Sequence, residues 1–258
     1  MRRLWLRWAL LIVFVAVLGT AFVNLGEWQL DRLQQRQSRN ATTVTNEAAP
    51  VRPFGEVFTR PLTDADQWQR VEATGTFDAD HQYVVRYRQN GDAEGYEVVT
   101  PLRTDQGTVL VDRGLIQLPR GVKIPSIAPA PPAGEVTVVG HVRRNEKGRA
   151  AASTPVNGEM RQISAVGIGP TLPYPILDGY IGLLTVTPAQ DGGFQPIDVP
   201  EISDGPHFWY AVQWFMFTGI GILGIVVFIR GDLRERKKAQ QQATEAPAES
   251  ETEEKAWT

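Results

Sequence analysis

The sequence predicts a membrane α + β protein in which two terminal transmembrane helices flank an antiparallel β-rich domain, a sandwich or a partly open barrel, held on the extracytoplasmic side. Three observations carry this. Residues 8–25 form an uncharged stretch of 18 and residues 209–229 another of 21. Between them the chain breaks into short β-branched and aromatic runs separated by Gly, Pro and Asn. Composition averaged over the chain conceals the pattern: 42% hydrophobic residues and a slightly negative mean hydropathy describe neither the apolar ends nor the polar middle.

At the α-helical rise the first stretch makes roughly 27 Å and the second roughly 31 Å, against a hydrocarbon thickness of ~30 Å. Arg2, Arg3 and Arg7 precede the first stretch as they would in a signal peptide. The apolar run exceeds a signal core, however, and no A-x-A site precedes Gly26, so an uncleaved anchor is expected. Arg32, Arg36 and Arg39 beyond the first stretch balance the three arginines before it, so orientation rests on the second. Arg230, Arg234, Arg236, Lys237 and Lys238 follow it, and residues 189–208 carry no Lys or Arg, which puts both termini in the cytoplasm. The expected layout is a cytoplasmic N-terminus over 1–7, spans at 8–25 and 209–229, an extracytoplasmic domain over 26–206 and a basic then acidic cytoplasmic tail over 230–258. The expected location is the plasma membrane.

Residues 26–39 are rich in helix formers and continue the first helix outward, with Trp28, Arg32 and Arg36 at i, i+4, i+8 on one stripe. Residues 40–66 contain three prolines and read as an irregular connection with one short turn near 62–67. Strands are expected at 69–77, 82–88, 96–103, 108–116, 135–143, 160–166 and 180–187, with turns at Asn90-Gly91 and Gln106-Gly107. Five prolines between 119 and 132 predict a stiff extended loop, and 154–175 a second loop-rich insertion. The tail from 239, rich in Gln, Ala and Glu, reads as disordered.

Function classes narrow by exclusion. A net charge of −3 supplies no basic field for nucleic acid. No cysteine means no disulfide, thiolate catalysis, Cys-ligated metal or c-type haem. Gly219-x-Gly221-x-x-Gly224 matches the dinucleotide fingerprint as a bare pattern, but it lies inside a spanning helix with no preceding strand. Close packing near Ala16 and Gly19 explains it better. The three histidines, His81, His141 and His207, lie 60 or more residues apart with no metal-ligand or nucleophile motif around them, so the chain is not expected to be an enzyme.

His207 stands apart because it opens the second span, with Tyr210 and Trp214 following at i+3 and i+7 on one helical face. Two readings stay open from the residues alone. One is an interfacial aromatic belt. The other is a haem site in which the His207 imidazole ligates iron, the aromatics pack on the macrocycle and Arg32 or Arg36 meets the propionates, which requires the two helices to be adjacent.

These residues also carry a family resemblance. Gly26-x-Trp28-Gln29-x-x-Arg32, Val71-x-x-x-Gly75-x-Phe77, Thr100-Pro101-Leu102, Val109 to Gly114 (VLVDRG) and His207-x-x-Tyr210-Ala211-x-x-Trp214 occur in order between the two spans. The chain thereby resembles the surfeit locus protein 1 family, the cytochrome c oxidase assembly factors. The resemblance implies a non-catalytic membrane protein that receives haem a and passes it to the oxidase catalytic subunit. The implied partners are that subunit, haem a synthase and the lipid bilayer. It also implies that His207 contacts haem iron and that Trp28, Gln29, Arg32, Tyr210 and Trp214 form its surroundings, with Arg36 keeping the positive charge offered to the propionates. The chain departs from the family pattern at Arg36, where many members have Lys, and after Gly114, where Leu115-Ile116-Gln117 replaces Trp-x-Pro.

Overall fold

A computed structural model describes residues 2–119, 121–125 and 128–254, with backbone alone for 2–4 and 243–254. Met1, residues 120, 126 and 127 of the Pro-rich loop, and residues 255–258 of the tail lie outside the described residues. The chain divides into two compact units, one made of residues 1–37 with 203–258 and the other of Ser38–Ile202.

The first unit contains the two long helices, the start of α1 (Arg2–Ala48) and all of α5 (His207–Glu254). Both are long and apolar enough to cross a bilayer, and their large apolar side chains, among them Leu10, Phe14, Val17, Ile220 and Leu223, are exposed in the isolated chain. They run antiparallel. Trp8 Nε1 donates to Asp232 at 2.9 Å, the Phe22 and Trp214 rings lie 5.4 Å apart and Gln29 meets His207. A Cβ on Gly221 would sit 3.2 Å from Val15 and one on Gly19 would sit 3.6 Å from Thr218, whereas Gly219 and Gly224 face nothing within 4 Å. Of the fingerprint glycines, then, only Gly221 packs against the partner helix. α5 continues through the tail to Glu254, where composition predicts disorder. Gln, Ala, Glu and Lys are among the strongest helix formers, so the polarity that suggests disorder does not oppose a helix.

The second unit begins with the last residues of α1, so residues 40–48 are helical where an irregular connection was expected. The threonines do not break the helix because Thr42 and Thr43 hydroxyls bond back to the carbonyls of Ser38 and Arg39. After it come β1 (Arg52–Pro53), α2 (Phe54–Val57), a 3-10 turn at Asp64–Asp66, β2 (Arg70–Phe77), β3 (Tyr83–Asn90), β4 (Ala93–Thr104), β5 (Gly107–Gln117) and β6 (Glu135–Arg143). The short α3 (Ala150–Ser153), β7 (Glu159–Met160), α4 (Ala165–Ile168) and then β8 (Tyr180–Thr187) complete it. The run predicted as a strand at 160–166 is extended only at its start. Met160, Ile163, Ala165 and Ile168 all enter one core, a spacing that no two-residue alternation can satisfy.

The sheet closes on itself. β2, β6, β8, β5 and β4 form a ring because β4 returns to β2 through Thr76↔Arg103 and Phe77↔Leu102. The expected sandwich or partly open barrel is therefore a closed five-stranded barrel. It is not wholly antiparallel either, since β5 pairs β8 in parallel, as do β1 with β2 and β3 with β7. Two of the motif residues enable the closure. A Cβ on Gly75 would lie 2.2 Å from the Arg103 carbonyl oxygen, so only glycine lets β2 and β4 approach this closely. Pro101, which has no N–H, sits where β4 exchanges β3 (paired through Val99) for β2 (paired from Leu102). Val71, Leu102, Val109, Val111, Val138 and Ile181, all 0% exposed, fill the main core.

Two polar centres are buried in this unit. Arg88 donates to Glu97 and to Glu146, and beside them Asp112 accepts the Gly114 N–H at 3.1 Å. Burial first, and then mutual repulsion with Asp112, pushes Glu97 up to about 8. Burial likewise pushes Asp112 up to about 6. Arg113 is 1% exposed and faces no carboxylate among the described residues. It donates to the side-chain oxygens of Gln82 and Gln190 and to the carbonyls of Pro129 and Ala130, and its guanidinium lies 4.5 Å from the Phe194 ring centroid. Burial pulls it down to about 10. Arg113, within β5, thus anchors the Pro-rich loop.

Candidate functional site at the paired helix ends

The site lies within the first unit, where the segment of α1 after its apolar stretch faces the start of α5. Gly205, at φ +67, and Pro206 turn the chain into α5 so that His207 is its first residue. Gly26 is buried and lies so close to α5 that a Cβ there would meet the Phe215 ring at 2.7 Å. Ala211, 1% exposed, is the small residue on the facing helix. This close crossing brings the next turn of α1 within reach of α5, which explains why Gly26 precedes Trp28 and Gln29 in one motif.

The resulting contact is specific. His207 Nδ1 lies 2.8 Å from Gln29 Oε1. An amide oxygen only accepts, so the imidazole must donate from Nδ1, and in its neutral form the lone pair is fixed on Nε2. His207 is half-buried. Two turns further along α1 Arg36 Nε donates to the Ser203 carbonyl at 2.7 Å, and Gln37 donates to Asp204 at 3.0 Å. A Cβ on Gly205 would stand 3.1 Å from an Arg36 guanidinium nitrogen and 3.6 Å from the His207 ring, so Arg36 and His207 flank the same glycine.

The other predicted residues are distributed around this pair. Arg32 donates to Gln35 at 3.1 Å and lies 5.4 Å from the Trp28 ring centroid, so both contacts stay on its own helix. Trp28 is 48% and Tyr210 47% exposed, while Trp214 stacks on Phe22 and stands 6.0 Å from Phe217. The structure therefore joins His207 to Gln29 and sets Arg36 close by. It leaves Trp28, Arg32 and Tyr210 on the exterior and places Trp214 in an aromatic cluster between the helices. Among the described residues Arg32 is held by the Gln35 side chain and Arg36 by the Ser203 carbonyl, neither in an ion pair.

Sequence reasoning missed Phe22, Phe215, Ser203 and Asp204. No local signal marks them, because each acquires its role only through a residue more than 160 positions away. A groove of about 590 Å³ between the helices, lined by Leu10, Phe14, Gly221 and Phe228 among others, lies at their opposite end and is almost wholly apolar.

His81 and His141 are structural in this geometry. The His81 ring is bonded to Asp78 at 2.8 Å, and that carboxylate also takes the Tyr174 hydroxyl. His141, 3% exposed, is bonded to Glu47 and packs edge-on to Trp68.

Uncharacterised SURF1-like proteins of Mycobacterium bovis and of two strains of Mycobacterium tuberculosis are each 28% identical over 233 residues, covering 89% of this chain and 86% of theirs. The profile of the SURF1 family matches residues 16–219, from the first apolar stretch through the barrel to the aromatic cluster of α5, and the chain belongs to that family.

Proposed function

We propose that this protein is a membrane-anchored, non-catalytic assembly factor for cytochrome c oxidase that takes up haem a transiently at the paired helix ends and delivers it to the catalytic subunit. Family membership supports the assembly role. The observation that carries the haem reading is the His207–Gln29 bond, which leaves Nε2 as the open donor of a neutral imidazole. Haem is the cargo here, and the chain's residues bind and orient it. Nε2 of His207 takes the iron, Arg36 and Arg32 offer charge to the propionates, and Trp28 and Tyr210 supply exposed aromatic surface. Haem a synthase is the expected donor.

In this reading both helices cross the plasma membrane. The five basic residues between 230 and 238 hold both termini in the cytoplasm, and the barrel is extracytoplasmic. The test is the absorption spectrum of the full chain purified in detergent from a host that makes haem a, with and without His207→Ala. Wild type is expected to carry a Soret band that the variant loses. Equal haem content in both would remove His207 as the ligand. No haem in either would leave an accessory subunit of the oxidase as the surviving role.

A further inference from the structure

We propose that the bulged outer edge of β3, centred on Tyr87, docks an extended acidic segment of a partner protein. The strand is irregular at this point. Val85 pairs with Glu97 and Arg88 with Gly95, so Arg86 and Tyr87 together oppose the single residue Tyr96. Tyr87 takes φ +61, a conformation that a bulky side chain adopts only at a cost. Its ring gains no burial in return, being 67% exposed. Instead it is held by cations, with Arg86 5.3 Å and Arg161 5.0 Å from the ring centroid. A strained backbone that presents an exposed aromatic braced by two arginines has no account in the stability of the barrel.

The surroundings define the occupant. On its outer side β3 is paired only at Val84 and Val85, by the two-residue β7. Among the described residues no strand continues that pairing along 86–90, so backbone donors and acceptors face outward there. A groove of about 400 Å³ bearing Tyr87, Val122 and Lys123 flanks Arg86, and one of about 410 Å³ bearing Val156 and Arg161 shares that residue. Val122 and Val156 are 51% and 65% exposed.

Arg86 is engaged by Glu159 and Arg88 by Glu97 and Glu146. Arg161 and Lys123 meet no carboxylate among the described residues. An open strand edge, an aromatic anchor, two surplus cations and exposed valines match an extended segment in which acidic and apolar residues alternate.

The test uses the full chain in detergent and a fluorescent ten-residue peptide alternating Glu and Val, with the Lys-for-Glu peptide as control. The acidic peptide is expected to bind and the basic one not. Tyr87→Gly and Arg161→Glu are each expected to weaken binding by about tenfold or more, the size of a hot-spot loss. Glycine relieves the positive φ, so Tyr87→Gly keeps the fold and its thermal midpoint does not fall. Equal binding of the two peptides, or unchanged affinity in Tyr87→Gly, overturns the proposal. So does binding of phosphatidylglycerol vesicles through the same residues in place of the peptide, which would assign the surface to lipid.

Discussion

Replacing Gln29 isolates the contribution of the interhelical contact from that of the histidine itself. In Gln29→Leu the shape is roughly kept while the acceptor for His207 Nδ1 is removed. The bond is neutral at both ends, 2.8 Å long and half-buried, so its net worth is about 0.5–1.5 kcal/mol. If that orientation energy is expressed in haem binding, affinity falls about 2- to 12-fold, at or below the low end of the roughly 10- to 100-fold loss seen when residues supporting a metal ligand are removed. Gln29→Glu substitutes a charged acceptor, which makes the imidazole a stronger donor, and affinity should hold or rise. The assay is a haem titration of the purified chain followed in the Soret region, paired with the iron–imidazole stretching frequency, which should fall in Gln29→Leu and rise in Gln29→Glu. A merely structural role for Gln29 would leave that frequency unmoved. Wild-type affinity and frequency in Gln29→Leu, alongside loss of binding in His207→Ala, would refute the claim that Gln29 orients the ligand.

Two further predictions concern the barrel. Glu97 and Asp112 have folded-state pKa values raised above their ordinary ones, first by burial, so the fold favours their protonated forms. The associated stability is present at acidic pH and is lost as pH rises from about 4 towards 8. Thermal midpoints of the full chain should decline across that range and the decline should flatten in Glu97→Gln; parallel curves would contradict it. Arg113→Met strips four hydrogen bonds, leaving the Pro129 and Ala130 carbonyls without their donor. It should cost about 2–4 kcal/mol in a denaturant titration and open the 119–132 loop to limited proteolysis.

Much of the fold is legible in local sequence because the relevant forces are local. The strands at Glu135–Arg143 and Tyr180–Thr187 are bounded as expected, since Gly134 and Gly179, both at positive φ, and Pro188 punctuate the β-branched runs. The barrel's closure was not legible. It depends on Gly75 meeting the Arg103 carbonyl, a contact that the sequence registers only as a glycine in a strand. The helical end of α1 was hidden for a related reason. Its polar residues satisfy themselves by bonding backwards, and Asn46 and Glu47 find partners at Ala65, Gln67 and His141 that no periodicity announces. The candidate site shows the same division. The face shared by His207, Tyr210 and Trp214 follows from helical spacing. The pairing of His207 with Gln29, 178 residues away, required the two helices to be placed side by side.

The chemistry of that pairing bears on why a delivery role suits it. A resident haem is held by burial and by a ligand whose other nitrogen is fixed by a strong acceptor, often a carboxylate. Here the acceptor is a neutral amide, the histidine is half-buried, and Arg36 already donates to a backbone carbonyl. Uptake of cargo would leave the His207–Gln29 bond in place and draw Arg36 from the Ser203 carbonyl, and release would return Arg36 to that carbonyl. On the proposed function, such a site would favour neither state by much, the condition for handing a ligand to a tighter acceptor. Gln29→Glu, by strengthening the imidazole as a ligand, should then bind haem more tightly yet deliver it less completely, so that oxidase assembly falls while haem occupancy rises. A variant that raised both would show that retention, and not release, limits the protein.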